Sequence, residues 1–323
     1  MKASISTGTL RERPDLIPPL SHCEIVRRLH AAGYTALDFD WSCNARITYK
    51  DHILYGDGWE KRIEEVASLA AGLGVAFTQA HLPFMYFQSA GIDPAFADPA
   101  AEPIFWELTR RAYIASGMLG IKYVVAHPFS CPEGNWEPSS AFRCSHEIYD
   151  KYVELGIQHN VGTAFENMLP SFDRTLGLCY CQHYEELIDF TDSFQTDMVG
   201  ICWDTGHANQ ARLDQGRAIR AIGSRLKGLH INDNHFGSRD EHLLPFMGTV
   251  DWNAVTQALA DVNYTGDMTL EIDPGAYTGE LSAKMLRFSY DTAEHLMAMF
   301  NEAKAIYFDS LKNLSEQGSA PCI

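Results

Sequence analysis

The chain lacks several features that would assign it quickly. No stretch approaches about 18 consecutive apolar residues, which argues against a membrane-spanning helix. No dense Lys/Arg run occurs, and 25 basic against 42 acidic residues leave a formal charge of −17. Such a surface repels nucleic acid, whose binding depends on basic side chains neutralising phosphates. No GxGxxG follows a predicted strand, so nothing supports a dinucleotide site. No CxxC is present: Cys179 and Cys181 form a CxC, and the other cysteines of the eight are scattered. The opening Met1-Lys2-Ala3-Ser4-Ile5 has no apolar core of the signal-peptide kind. A cytoplasmic protein with free thiols and no membrane partner is therefore expected.

What is there is an alternation of strands and helices. The predicted strands are Lys2–Ser6, Tyr34–Trp41, Val75–Ala80, Tyr123–Ala126, Val161–Phe165, Met198–Trp203, Leu226–Leu229 and Met268–Leu270. Helices are predicted over His22–Ala32, Trp59–Leu73, Pro103–Leu119, Ser140–His159, Tyr184–Phe194, His207–Ile222, Trp252–Val262 and Leu281–Ile306. Ser21 can cap the first, and Gly74 stops the second. No linker or composition break divides the 323 residues. The expected fold is a single (β/α)8 TIM barrel over residues 1–306, with 307–323 as a C-terminal tail. A doubly wound sheet is the alternative.

The informative fact is position. His81, His127, Glu166, Asp204, His230 and Glu271 each fall at the C-terminal end of a predicted strand. In a barrel those ends converge on one mouth, where active sites lie. Asp204 closes an apolar strand and needs a cation, whether Arg, Lys or a metal, because burying its charge unpaired costs several kcal/mol or more. Histidines and carboxylates together form a ligand set for a divalent metal such as manganese, zinc, cobalt or iron. Taken singly, each could be a hydrogen-bonded core residue or an ion-pair partner; jointly they point to a metal site.

An ordered series of segments resembles the xylose-isomerase-like TIM barrels. It comprises Gln79-Ala80-His81-Leu82-Pro83, Val125-Ala126-His127-Pro128, Phe165-Glu166-Asn167, Trp203-Asp204-Thr205-Gly206-His207, Leu229-His230-Ile231-Asn232-Asp233-Asn234, Asp240-Glu241-His242-Leu243-Leu244-Pro245 and Leu270-Glu271-Ile272. That superfamily includes sugar and sugar-phosphate isomerases and epimerases, inosose dehydratases and AP endonucleases of the endonuclease IV type. The epimerase branch implies one metal held by Glu166, Asp204, His230 and Glu271. Manganese is the first expectation, with zinc, cobalt, magnesium or iron as alternatives. The endonuclease branch implies three zinc ions, with His81, His127, His207, Asp240 and His242 as additional metal or substrate positions.

The resemblance implies a divalent-metal-dependent isomerase or epimerase of a sugar, keto-sugar or cyclitol. Proton transfer would pass through a metal-bound enediolate, with Glu166 and Glu271 as base and acid in turn and His207 orienting a substrate oxygen. The same enediolate could expel a β-hydroxyl or an aglycone, giving a dehydratase or a C-glycoside-cleaving lyase. An AP-endonuclease-like phosphodiesterase and a non-catalytic sugar-binding subunit are further alternatives. Aromatic residues in the mouth loops (Phe84, Tyr86, Phe87, Trp136) could pack on the C–H face of a sugar, or cover the mouth or a dimer contact. The ketose epimerases carry an Arg shortly after the seventh-strand His. Here that region reads Asn232-Asp233-Asn234-His235-Phe236, so Asp233 or Arg239 is the expected substitute, or the substrate differs. No Lys/Arg cluster marks a phosphate site, which favours an unphosphorylated substrate. A homo-oligomer is left open.

Overall fold

The computed structural model describes residues 1–11, 20–42, 52–83, 87–88, 91–92, 101–128, 138–170, 180–236, 240–275 and 277–316. Eight parallel strands form its centre: β1 Ala3–Ser6, β2 Ala36–Asp40, β3 Ala76–His81, β4 Tyr123–Ala126, β5 Gly162–Glu166, β6 Val199–Asp204, β7 Leu226–His230 and β8 Met268–Leu270. They pair in chain order, and β1 also pairs with β8. The last gap, between β7 and β8, is bridged where Ile231 N–H donates to Thr269 O at 2.8 Å and Glu271 N–H to Ile231 O at 3.0 Å. The sheet thus curls into a barrel, which leaves no long unpaired edge.

Helices α1 His22–Ala32, α2 Trp59–Leu73, α3 Ala101–Met118, α4 Pro138–Gln158, α5 Tyr184–Ser193, α6 Gln215–Ile222, α7 Trp252–Asp261 and α8 Gly279–Glu316 alternate with the strands. Each of these helices whose side chains are described turns an apolar face to the sheet: on α2, Ile63, Val66 and Ala70 are buried at helical spacing. Ser21 caps α1 by accepting the Glu24 N–H at 3.2 Å. Gly74 ends α2 in the left-handed conformation at φ 71°, where a Cβ would be strained.

The predicted helix over 207–222 is two helices. A short one, Thr205–Gln210, closes with Arg212 at φ 58°, its N–H donating to Asn209 O and the next N–H, Leu213, to Ala208 O. That is a Schellman closure without the glycine that usually announces it. Asp214 then caps α6. The closing helix runs to Glu316, past the expected end at Ile306, and packs along α7 and α1.

Inside the barrel the side chains are small or polar. Val125, Ala164 and Cys202 form their own cluster, separate from the large core between sheet and helices. Side chains alternate along a strand, so Ala164, Cys202 and Gly228 underlie Glu166, Asp204 and His230, two residues on. Burial pushes the Cys202 thiol up to about 12, as expected of a reduced interior cysteine.

Candidate metal centre

All six strand-end residues reach the same mouth. Glu166, Asp204 and His230 end β5, β6 and β7, and Glu271 follows β8; each offers a ligand atom within 4.8 Å of the others. His230 Nδ1 lies 2.7 Å from Glu166 Oε1 and 3.4 Å from Glu271 Oε2. His81, at the end of β3, forms a second grouping with Glu166 and His230. The Nε2 atoms of His81 and His127 are 3.1 Å apart, and they lie 3.5 Å and 3.0 Å from Glu166 Oε2.

Asp204 has two structural jobs besides. Its Oδ1 accepts the His207 N–H at 2.6 Å, capping the short helix, and its Oδ2 accepts Asn232 Nδ2 at 2.8 Å. Asn167 clamps the Asp204 backbone from both sides, donating to its carbonyl at 2.9 Å and accepting its N–H at 2.7 Å. The helical turn that Asp204 starts swings His207 inward, where Nδ1–H donates to Asn167 O at 2.8 Å. His207 Nε2 is 3.5 Å from Asp240 Oδ2, and His242 Nε2–H donates to that same oxygen at 3.0 Å. A further grouping of His207, Asp240 and His242 thus borders the first.

Histidine supplies the positive charge here. Among the described residues, no Lys or Arg pairs with Glu166, Asp204 or Glu271; their recorded ion-pair partners are histidines. Burial works against an ionised Glu166, yet His230, His127 and His81 hold its carboxyl well below the usual range. Burial raises Asp204 to about 6, and Glu166, Glu271 and Asp240 push the same way. Burial also opposes charge on His81 and His242, but Glu166 carries the first to about 9 and Asp240 the second to about 10. His230 and His207 are likewise held high against burial, by Cys202, Glu271 and Glu166 and by Asp204 and Asp240. His127 is lowered by burial, consistent with its Nε2 accepting from protonated His81.

The residues fit a cation of charge two or more. Five carboxylates and five imidazoles converge, and the buried Glu166 Oε2 meets only the ring nitrogens of His127 and His81 among the described residues. Imidazoles and carboxylates gathered in one buried mouth form a ligand set that a divalent metal takes up as the imidazoles give up their protons.

Two expected substrate contacts, Trp136 and Arg239, lie outside the described residues, as do Phe84 and Tyr86. Phe87 begins a two-stranded ribbon, Phe87–Gln88 with Gly91–Ile92. Asp233, the other expected substrate contact, is engaged in the fold. It is fully buried, and its carboxylate accepts the N–H groups of Asn234, Phe246 and Val250 and the indole of Trp252 at 2.9 to 3.1 Å. Each of its oxygens takes two of these bonds, which hold the loop after β7. Four residues around the site were not singled out from sequence: Asp38, Gln79, Asn167 and Asn232. Asp38 and Gln79 lie two residues before the ends of their strands, a period-two signal that could have found them.

The model of the xylose isomerase-like TIM barrel family matches residues 26–289. The chain belongs to this family. Among curated proteins, y4fM of Sinorhizobium fredii, itself uncharacterized, is 34% identical over 121 residues. That match covers 38% of this chain and 36% of y4fM, well under two thirds of the relative's length. The D-psicose 3-epimerase of Ruminiclostridium cellulolyticum is 25% identical over 218 residues, covering 65% of this chain and 68% of that protein. A solved D-tagatose 3-epimerase-like protein superposes with a TM-score of 0.68 at 21% identity, covering 94% of this chain and 99% of the other. The IOLI protein, solved with a zinc atom, gives 0.67 at 16% identity, covering 94% and 99%. The two solved proteins share the barrel fold with this chain.

Proposed function

We propose that this barrel is a divalent-metal-dependent epimerase or isomerase of an unphosphorylated sugar, keto-sugar or cyclitol. The carrying observation is the pair Glu166 and Glu271, brought to His230 Nδ1 at 2.7 and 3.4 Å within one four-residue ligand group. The homologous D-psicose and L-ribulose 3-epimerases and inosose isomerase support this reading. A metal held by Glu166, Asp204, His230 and Glu271 would supply Lewis-acid polarisation of a carbonyl and its neighbouring hydroxyl.

The chain's own residues do the rest. One of Glu166 and Glu271 takes the proton from the hydroxyl-bearing carbon next to the carbonyl, and the other returns a proton to that carbon on the opposite face. The reverse reaction exchanges their roles. Glu166 Oε2, turned to the His81 and His127 side of the mouth, is the oxygen placed for that exchange. His207, fixed through Nδ1 on the Asn167 carbonyl, keeps Nε2 turned to the mouth beside Asp240 and orients a substrate oxygen.

The test is solvent deuterium incorporation into keto-sugars, starting with D-psicose, by metal-loaded protein. Exchange at one carbon with recovery of an epimer supports the reading. Loss of water or of an aglycone would move the assignment to a dehydratase or lyase. Glu166→Gln should lower turnover by at least about 10²-fold with the circular dichroism spectrum retained; normal turnover would remove Glu166 from the proton transfer.

A second reading is favoured by the two outer groupings, His81–His127–Glu166 and His207–Asp240–His242. An endonuclease-type phosphodiesterase would need these groupings to hold two further metals beside the central one. The charge of −17 weighs against a DNA substrate. Elemental analysis separates the two: about one metal per chain, lost in Glu271→Ala, fits the epimerase. About three zinc ions with cleavage of abasic duplex DNA fits the nuclease.

A further inference from the structure

Beneath His230 lies a carboxylate that the proton transfer does not use. Asp38, on β2, and His230, on β7, are both fully buried and meet across the barrel interior, with His230 Nε2–H donating to Asp38 Oδ2 at 3.3 Å. That contact is on the opposite side of the ring from Nδ1, which faces Glu166 and Glu271. Gln79, on β3, donates from Nε2 to the same Asp38 oxygen at 2.6 Å and to Leu229 O at 3.3 Å. Room for the Gln79 amide exists only because residue 228 is glycine; a Cβ there would overlap Gln79 Oε1. Asp38 Oδ1 is buried with no hydrogen bond. A buried, half-satisfied carboxylate in the barrel interior is costly, and three strands are arranged to hold it against one ring nitrogen.

We propose that Asp38, held by Gln79 in the gap left by Gly228, is the positioning residue that fixes His230 as an Nδ1 ligand. A histidine offers a lone pair at one nitrogen when the other keeps its proton, and a carboxylate on that proton selects the tautomer, sets the ring angle and makes the ligand more basic. Asp38 selects the Nε2–H form, which turns the Nδ1 lone pair to Glu166, Asp204 and Glu271. Gln79 keeps Asp38 from rotating away. This inference rests on the reading of those four residues as a metal site.

The test titrates Mn²⁺ and Co²⁺ into metal-free wild type, Asp38→Asn and Gln79→Ala, and follows the His230 ring nitrogens by ¹⁵N NMR in the zinc-loaded proteins. Asp38→Asn should weaken ion binding about ten- to a hundredfold, shift the Co²⁺ visible spectrum and remove the fixed Nε2–H signal. Gln79→Ala, which keeps the carboxylate and loses its clamp, should weaken binding several-fold; it also serves if Asp38→Asn does not fold. Wild-type affinity together with an unchanged His230 tautomer in the folded variants would overturn the positioning role while leaving the metal site standing. Failure of wild type itself to bind either ion would overturn the metal reading, and this inference with it.

Discussion

Gly206 shows how little slack the site has. A Cβ at this position would run into Asn232 Oδ1, the far end of the amide that donates to Asp204 Oδ2. Gly206→Ala must displace Asn232 and free Asp204 from that bond. We expect a loss of about 1–3 kcal/mol in urea unfolding, the usual cost of overpacking, together with weaker metal binding. An unchanged urea midpoint and unchanged affinity would mean that the Asn232–Asp204 contact is dispensable. Asp233, although adjacent to Asn232 in sequence, does different work. If its four donors make it a loop anchor, Asp233→Asn should lower the melting temperature clearly, because hydrogen bonds to a charged group contribute about 1.5–3 kcal/mol each. A variant that melts like wild type but shows a raised KM would return Asp233 to the substrate.

Among the elements, the short helix Thr205–Gln210, started at Asp204, decides where His207 points. A continuous helix from His207 would have no cap at Asp204. Instead Asp204 caps the first turn and Asp214 caps the second, accepting the Arg217 N–H at 2.9 Å. Asp214→Ala should cost about 1 kcal/mol, read by thermal unfolding, with turnover nearly unchanged because Asp214 lies outside the mouth. A large loss of activity at wild-type stability would show that α6 is coupled to His207 more tightly than its cap implies.

For the whole molecule, the histidine cluster links stability to protons. With His81 held at about 9 and His242 at about 10, the metal-free fold keeps protons that unfolded histidines release near 6.5. A raised histidine pKa gives stability that is complete below about pH 6.5 and is lost as pH rises through the folded values. Chelator-treated protein should therefore lose thermal stability between about pH 7 and 10. Metal-loaded protein should not follow it, because ligation requires deprotonated imidazoles and tightens as pH rises. Parallel pH profiles with and without chelator would contradict a metal site built on these histidines.

Much of this was legible in the sequence for one reason: parallel barrel strands are short apolar runs, and an ionisable residue at the end of such a run stands out. His81, Glu166, Asp204, His230 and Glu271 stand out that way, and the eightfold alternation gave the barrel. Sequence could not show the Schellman closure at Arg212, because that residue takes a conformation normally signalled by glycine, nor the burial of Asp233, because its four donors come from as far as Trp252 along the loop. Nor could it pair Asp38 with His230, 192 residues apart. Local pattern determines which residues end each strand, since periodicity and apolar runs are properties of neighbours. Which side chains then meet depends on barrel closure through Ile231 and on the inward register of each strand, and those are fixed only when the sheet curls and its interior is packed.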